Sequence, residues 1–378
     1  MRSMIPNMKI KPYLLTLCLI LLAACSPKPN YTRQIPTNRY AKGFDIRPQD
    51  RYTCVTVFSP WHQGQTLATY YLIDNDTVTT PSDGMRVRVP IARLSATSCT
   101  HVGFLAALNR QSALVGICNP PIVYDSITQQ YVKEGRIADV GDAMTPDVER
   151  ILRTAPEAVM VSTFAQGDAA TEKLLSLGMT VIYNNEWTEN DPLARAEWIR
   201  FVGAFFNAIP QADSVFEQVE KDYRQLKQTV ANIEQKRSIM SGNNFRGTWY
   251  MPSGNTYMGK LFRDAGADYR FQNDTANFSI PMTVENVVMN FEDADVWVGA
   301  AAQSLQELQD IDKKHTWFQS FRQGEVYNFY RRTTPGGAND FWESGVVHPE
   351  RILHDLILVL YPDSLPDSHT FYYTRHLL

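Results

Sequence analysis

The side chains best suited to chemistry in this sequence are aromatic rings and guanidiniums gathered in loop-like segments. Segments 95–101, 163–167 and 184–187 carry Ser95, Thr97, His101, Phe164 and Trp187. Segments 251–254 and 331–342, with Tyr250 just ahead of the first, add Arg331, Arg332, Asn339, Asp340, Phe341 and Trp342. Aromatic faces suit a flat or bulky ligand, and arginines suit carboxylates or another anionic group. The run Gly336-Gly337-Ala338-Asn339-Asp340-Phe341-Trp342 is the most loop-like and heads the expected contacts. Trp249, inside a strand-like run, reads as core.

Other chemistries find less support. No Gly-x-Ser-x-Gly elbow, His-Glu-x-x-His motif or P-loop occurs. The histidines form no His-x-His or i,i+4 pair, so no metal site is expected. His101 as a ligand to a bare metal ion is the weaker reading, because a lone helical histidine is more often structural. Scattered acids such as Glu325 could hold a glycosidase pair, but no spacing argues for a glycan-acting enzyme. The chain is therefore read as a binder without catalytic residues or a resident cofactor. Its charge of -4 falls to -7 once Arg2, Lys9 and Lys11 are removed with a leader, which excludes a nucleic-acid footprint.

The elements that must position these residues change in texture along the chain. Residues 52–93 are rich in β-formers and read as strands with a hairpin. From residue 94 helices and apolar strands alternate, with strands at 113–117, 158–161 and 180–183 and helices at 102–108, 147–155 and 169–177. Thr145 reads as the cap of the second of these helices, with Pro146 in its first turn. Apolar strands joined through helices imply a parallel sheet covered on both faces. The pattern returns after residue 238, with strands at 248–251, 296–298 and 326–329. Between the halves, residues 212–235 place Phe216, Val219, Tyr223, Leu226, Val230 and Ile233 on one helical stripe, which reads as a spine joining two lobes. Each half also holds a glutamate, Glu149 or Glu285, nine residues ahead of Ala158 or Ala294 and the strand that follows, the mark of a duplicated lobe. The fold class is thus α/β: two lobes with mainly parallel central sheets, a spine at 210–237, lobes at 94–209 and 238–378, and a β-hairpin extension at 52–93.

At the start, cations precede a short apolar run and Ala23-Ala24-Cys25, a secretory signal over residues 1–24 that is too short to span a bilayer. Leu22-Ala23-Ala24-Cys25 resembles the lipobox of bacterial lipoproteins, which makes Cys25 the acylated first residue and 25–51 a tether. The chain is then expected on the periplasmic side of a bacterial membrane, held only by its lipid. Residues 26–30 lack an acidic run of the kind that marks surface export. Cys54, Cys99 and Cys118 fit no zinc spacing and read as ordinary thiols, with one bridge left open.

Several stretches resemble the periplasmic binding proteins for iron-siderophore, haem and vitamin B12 uptake, the helical-spine receptors of ABC importers. They are Leu94 to His101 followed by Ala113-Leu114-Val115-Gly116, then Ile137 to Gly141 and Val148 to Leu152. Ala155-Pro156-Glu157-Ala158, Leu177-Gly178-Met179 and Ala265-Gly266-Ala267 continue the match. The resemblance covers residues 90–362; the hairpin at 52–92 is extra to it. It implies a monomeric receptor that traps a small metal chelate between two lobes and docks on a permease dimer through one glutamate per lobe, positions matched by Glu149 and Glu285. It also implies ligand contact by an aspartate-aromatic pair, matched by Asp340-Phe341. A ferric chelate is the first expectation for the cargo, a corrinoid the second, with haem open.

Overall fold

In the computed structural model, which describes residues 38–365 and 370–378, the first strand lies at 44–48. Strands β1 (Phe44–Pro48), β2 (Thr53–Phe58) and β3 (Thr66–Ile73) run antiparallel, and β4 (Met85–Arg88) joins β3 in parallel. The extension therefore has four strands, not a hairpin alone, and it starts inside the segment read as tether. The reason lies far along the chain. The Glu197 carboxylate accepts the backbone N–H groups of Arg39, Tyr40 and Ala41, each at 2.8 Å, and Glu189 accepts those of Lys42 and Gly43 at the same distance. Buried carboxylates holding backbone donors make strong, charge-assisted bonds. The signal segment, Cys25 and residues up to 37 lie outside the described residues.

The N-terminal lobe is built on β5 (Leu94–Ala96), β6 (Leu114–Ile117), β7 (Ala138–Asp139), β8 (Ala158–Val161) and β9 (Val181–Tyr183). They pair in parallel in the order β7-β6-β5-β8-β9. Helices α1 (Cys99–Ala107), α2 (Ser126–Lys133), α3 (Val148–Arg153) and α4 (Ala169–Ser176) connect them. The strands are apolar because both faces are covered. β9 is an edge, and an uncovered edge invites mispairing. The extension covers it: Tyr70 of β3 is buried, and its hydroxyl accepts the Tyr183 backbone N–H at 2.9 Å. Phe44 meets Trp198 and Phe201, and Tyr70 meets Phe205, all on helix α5 (Pro192–Phe205).

Helix α6 (Ile209–Thr229) is the spine, 21 residues and so about 32 Å long. At its start Ala212 packs against Gly203 of α5, which has no side chain to hold the helices apart. Near its end Tyr223 donates to Asp264 at 3.0 Å and Lys227 pairs with Asp264 at 2.7 Å. The helix stops six residues before the expected end. A turn at Val230, with the Ile233 N–H donating to the Val230 carbonyl, keeps the apolar stripe going after the helix is over.

The C-terminal lobe has β10 (Ile239–Ser241), β11 (Asn244–Phe245), β12 (Thr248–Met251), β13 (Ile280–Met282), β14 (Val296–Val298), β15 (Tyr327–Asn328) and β16 (Arg375–His376). Its centre is the parallel pair β10-β14, prolonged by parallel bridges Ser238↔Asp268 and Trp297↔Val326. β11-β12-β13 form an antiparallel flank. Helices α7 (Tyr257–Asp264), α8 (Val284–Phe291), α9 (Leu305–Ile311), α10 (Gln319–Gln323) and α11 (Pro349–Leu360) complete it. Trp249 is buried and donates to the Ser241 carbonyl at 2.8 Å, as its strand position implies. Buried side chains of the extension, both lobes and α6 form one continuous core.

Candidate functional site

Loops at the C-terminal ends of β5, β8 and β9 come together at one end of the N-terminal lobe, the position where parallel sheets bind ligands. They are fixed by bonds between them. Thr97, just beyond β5, accepts the Ser162 N–H at 3.1 Å through its hydroxyl. Asn185, beyond β9, accepts the Thr163 N–H at 2.9 Å, and the Asn184 N–H donates to the Val161 carbonyl at 2.9 Å. From this platform Phe164 and Trp187 project outward, 51% and 38% exposed, with ring centroids 5.3 Å apart. Phe164, Thr97, Ser162, Thr163 and Asp168 line a solvent-open cleft together with Met144 and Pro146. The two adjacent rings give this end of the lobe a small exposed apolar patch.

The C-terminal lobe meets the start of α1 at Trp342, whose carbonyl faces the Cys99 thiol at 3.9 Å. Trp342 is 60% exposed. Directly behind it the lobes are locked. The buried Glu343 carboxylate accepts the N–H groups of Tyr124 (2.6 Å) and Asp125 (2.8 Å). Helix α1 lies so close that a Cβ on Gly103 would sit 2.3 Å from the Glu343 carbonyl. Burial pushes the Glu343 carboxyl up to about 8, against the two N–H donors that favour its charged form. A second junction joins the buried Glu186 to Arg195 at 3.3 Å, and the Arg195 guanidinium lies over the Tyr257 ring at 4.8 Å. Burial raises the Glu186 carboxyl above its ordinary range.

The structure thus brings Thr97, Phe164 and Trp187 together, while Trp342 touches the start of α1 at Cys99. It places the other expected contacts elsewhere. Ser95 is buried, and its hydroxyl meets that of Thr154 at 3.0 Å. His101 is fully buried, and burial takes its imidazole down to about 4. The Asn184 backbone opposes that shift without meeting hydrogen-bond geometry at either ring nitrogen. Asp340 is buried and takes the Arg332 Nε–H at 2.6 Å. Phe341 is buried and stacks on Phe329 at 4.3 Å, and Asn339 caps the Phe341 N–H. Ser95, His101, Asp340 and Phe341 are thus buried, and Asn339 is partly exposed. Arg332, over the Tyr124 ring, lines a different groove with Glu343, His348 and Arg351. Arg331 is exposed, its backbone tied to Tyr373. Tyr250 is exposed on the outer face of β11-β12-β13, a face it shares by register with Phe245.

Phe245, Glu186, Arg195 and Glu343 were not singled out in the sequence. Glu186 sits in the run Glu186-Trp187-Thr188-Glu189-Asn190-Asp191, which looks solvated, and only its distant partner Arg195 explains its burial. Among the described residues no group of three or more His, Cys, Asp or Glu side chains is arranged to hold a metal ion. Cys54, Cys99 and Cys118 are free thiols. No helix of the described residues is long and apolar enough to cross a membrane.

Glu149 and Glu285 occupy equivalent places, the second residue of α3 and of α8, both exposed. The caps are Asp147, not the expected Thr145, and Thr283. Lys314 pairs with Glu285 at 2.6 Å and holds its carboxyl below the usual range.

A family model described as periplasmic binding protein matches residues 95–330. An uncharacterized lipoprotein of Methanocaldococcus jannaschii is 26% identical over 77% of this chain and 70% of its own length. A second lipoprotein of that organism is 24% identical over 82% of this chain and 83% of its own. Among solved structures, a periplasmic heme binding protein from Pseudomonas aeruginosa superposes with a TM-score of 0.57 at 17% identity, covering 74% of this chain and 95% of that one. An ABC-type Fe3+-hydroxamate transport protein from Saccharomonospora viridis does so with 0.54 at 16% identity, covering 76% and 97%. At such identities these structures establish the shared fold.

Proposed function

The chain belongs to the periplasmic binding protein family, the solute-binding components of ABC importers, and on that premise we propose that it captures a ferric chelate between its lobes and delivers it to a permease. The observation that carries this reading is the half-exposed Phe164–Trp187 pair standing on a platform of hydrogen bonds between the strand-end loops. A pre-organised aromatic surface binds a rigid, flat-sided ligand at little entropic cost. A haem or corrinoid ring would satisfy the same surface, and relatives of this fold include a heme binding protein, so these are the alternative cargo.

Glu149 and Glu285 are the docking residues in this reading, one per lobe, for cationic partners on a permease dimer. Exposed Met144 and Met289 lie close in sequence to one glutamate each and add apolar surface. Replacing both glutamates by alanine should leave ligand binding intact and abolish cellular uptake; unchanged uptake would remove the docking role. Cys25 is the proposed lipid anchor, in keeping with two relatives named lipoproteins. Loss of membrane retention on Cys25→Ala tests it. The cargo is tested by titrating the full chain, in detergent micelles, with ferric enterobactin, ferrichrome, hemin and cyanocobalamin while following tryptophan fluorescence. Saturable quenching by an iron chelate supports the reading. Quenching by hemin or cyanocobalamin alone reassigns the cargo, and no response to any of the four rejects it.

A further inference from the structure

The turn between β2 and β3 lies outside the family-matched segment, yet it touches the ligand rim. Residues 59–65 are Ser-Pro-Trp-His-Gln-Gly-Gln. The turn is held in shape from within. The Ser59 N–H donates to the Gln65 carbonyl at 2.8 Å, the Gln65 N–H to the His62 carbonyl at 3.1 Å, and the His62 N–H to the Ser59 hydroxyl at 3.1 Å. Gly64 takes φ +79°, which an L side chain would resist. A register shift at Val57/Phe58 bends the strand just before the turn.

Two contacts fix where this turn points. Tyr70 ties β3 to Tyr183, the last residue of β9, directly before the loop that carries Trp187. The exposed His62 meets Gln166 side chain to side chain, Nε2 to Oε1, at 2.9 Å. Gln166 belongs to the loop that presents Phe164 and Asp168 to the cleft. The extension therefore runs along the sheet edge and ends its β2–β3 turn at the ligand end of that sheet. Trp61, half-buried beside His62, arrives there with it.

We propose that the β2–β3 turn is an additional wall of the binding cleft, in which Trp61 and His62 contact the outer part of the ligand and restrict which ligands fit. This rests on the reading of Phe164 and Trp187 as the ligand surface. The ligand it selects is a chelate broad enough to extend past the Phe164–Trp187 pair. Its apolar body rests on the indole, and a carboxylate, phenolate or hydroxamate edge takes the imidazole. A bare ion or a small compact solute would not reach.

The test uses the full chain in detergent micelles and whichever of ferric enterobactin, ferrichrome, hemin and cyanocobalamin it binds. Trp61→Ala and His62→Ala should each raise the Kd about tenfold, the weight of one good contact, and His62→Ala should leave the thermal midpoint unmoved because His62 is exposed. Saturating ligand should protect His62 of the unaltered protein from diethylpyrocarbonate, read by mass spectrometry, an effect a merely structural turn would not produce. If Trp187→Ala abolishes binding while both turn variants bind normally and His62 stays reactive, the extra wall is rejected and the cargo reading stands. If none of the four probes binds the unaltered chain, both fall.

Discussion

The rim at Phe164 and Trp187 and the loop at 331–342 look alike in sequence and behave oppositely. Both are polar segments after a strand, and both hold aromatics. At the rim the polar groups turn inward to stitch the loops, through Thr97, Asn184 and Asn185, and the aromatics turn outward. In the 331–342 loop Asp340 and Phe341 turn inward, onto Arg332 and Phe329, and the sole large aromatic left outside is Trp342. Glycines and asparagines announce that the backbone can turn. They do not announce which side chains the turn buries, because that depends on partners elsewhere in the chain. Rigid strand ends on a parallel sheet carry the sharper information about where a ligand goes.

The largest effect expected from this contrast separates the two phenylalanines. Phe341→Ala empties a stacked, buried site and should cost about 3–5 kcal/mol of stability. Phe164→Ala removes a half-exposed ring and should stay within about 0.5 kcal/mol, yet weaken the ligand strongly. Thermal unfolding beside ligand titration reads both. Equal destabilisation by the two changes would break the comparison.

A smaller effect sharpens the idea that the C-terminal loop is a lobe junction. Gly103→Ala presses a methyl into the Glu343 backbone, an overpacking worth about 1–3 kcal/mol. A denaturation midpoint unchanged from the parent would show that the lobes are not locked there.

The smallest effect is one of pH. The Glu343 carboxyl titrates near 8 in the folded chain, above the ordinary 4.5. The folded state therefore binds its proton more tightly than the unfolded one. The stabilisation is full below the ordinary Glu range and is lost as pH rises through 8. The thermal midpoint should fall between pH 5 and pH 8 by more in the parent than in Glu343→Gln, each measured across that range. Parallel profiles would mean that the two N–H donors outweigh burial.

Much of the fold was legible because its signals are local. Apolar strands alternating with capped helices gave the α/β class, and the repeated glutamate-to-alanine spacing located α3-β8 and α8-β14 as equivalent pairs. Trp249 was placed in the core by strand context. What escaped depends on distance in sequence. The strand at Phe44–Pro48 exists because Glu189 and Glu197, roughly 150 residues on, hold the segment before it. The burial of Glu343 is decided by Tyr124 and Asp125, over 200 residues away. Residue type and strand-end position pointed to Phe164 and Trp187, and the structure sets the two rings side by side and half-exposed. Asp340 and Phe341, matched to a contact role, lie buried against Arg332 and Phe329.

The central claim is that ligand lands on the strand-end rim and not on the body of the 331–342 loop. Hydrogen exchange of the full chain, with and without a saturating chelate, tests it directly. The account predicts slowed exchange at 163–167 and 184–187, with 336–341 unchanged. Protection confined to 336–341, with the rim unaffected, would contradict it.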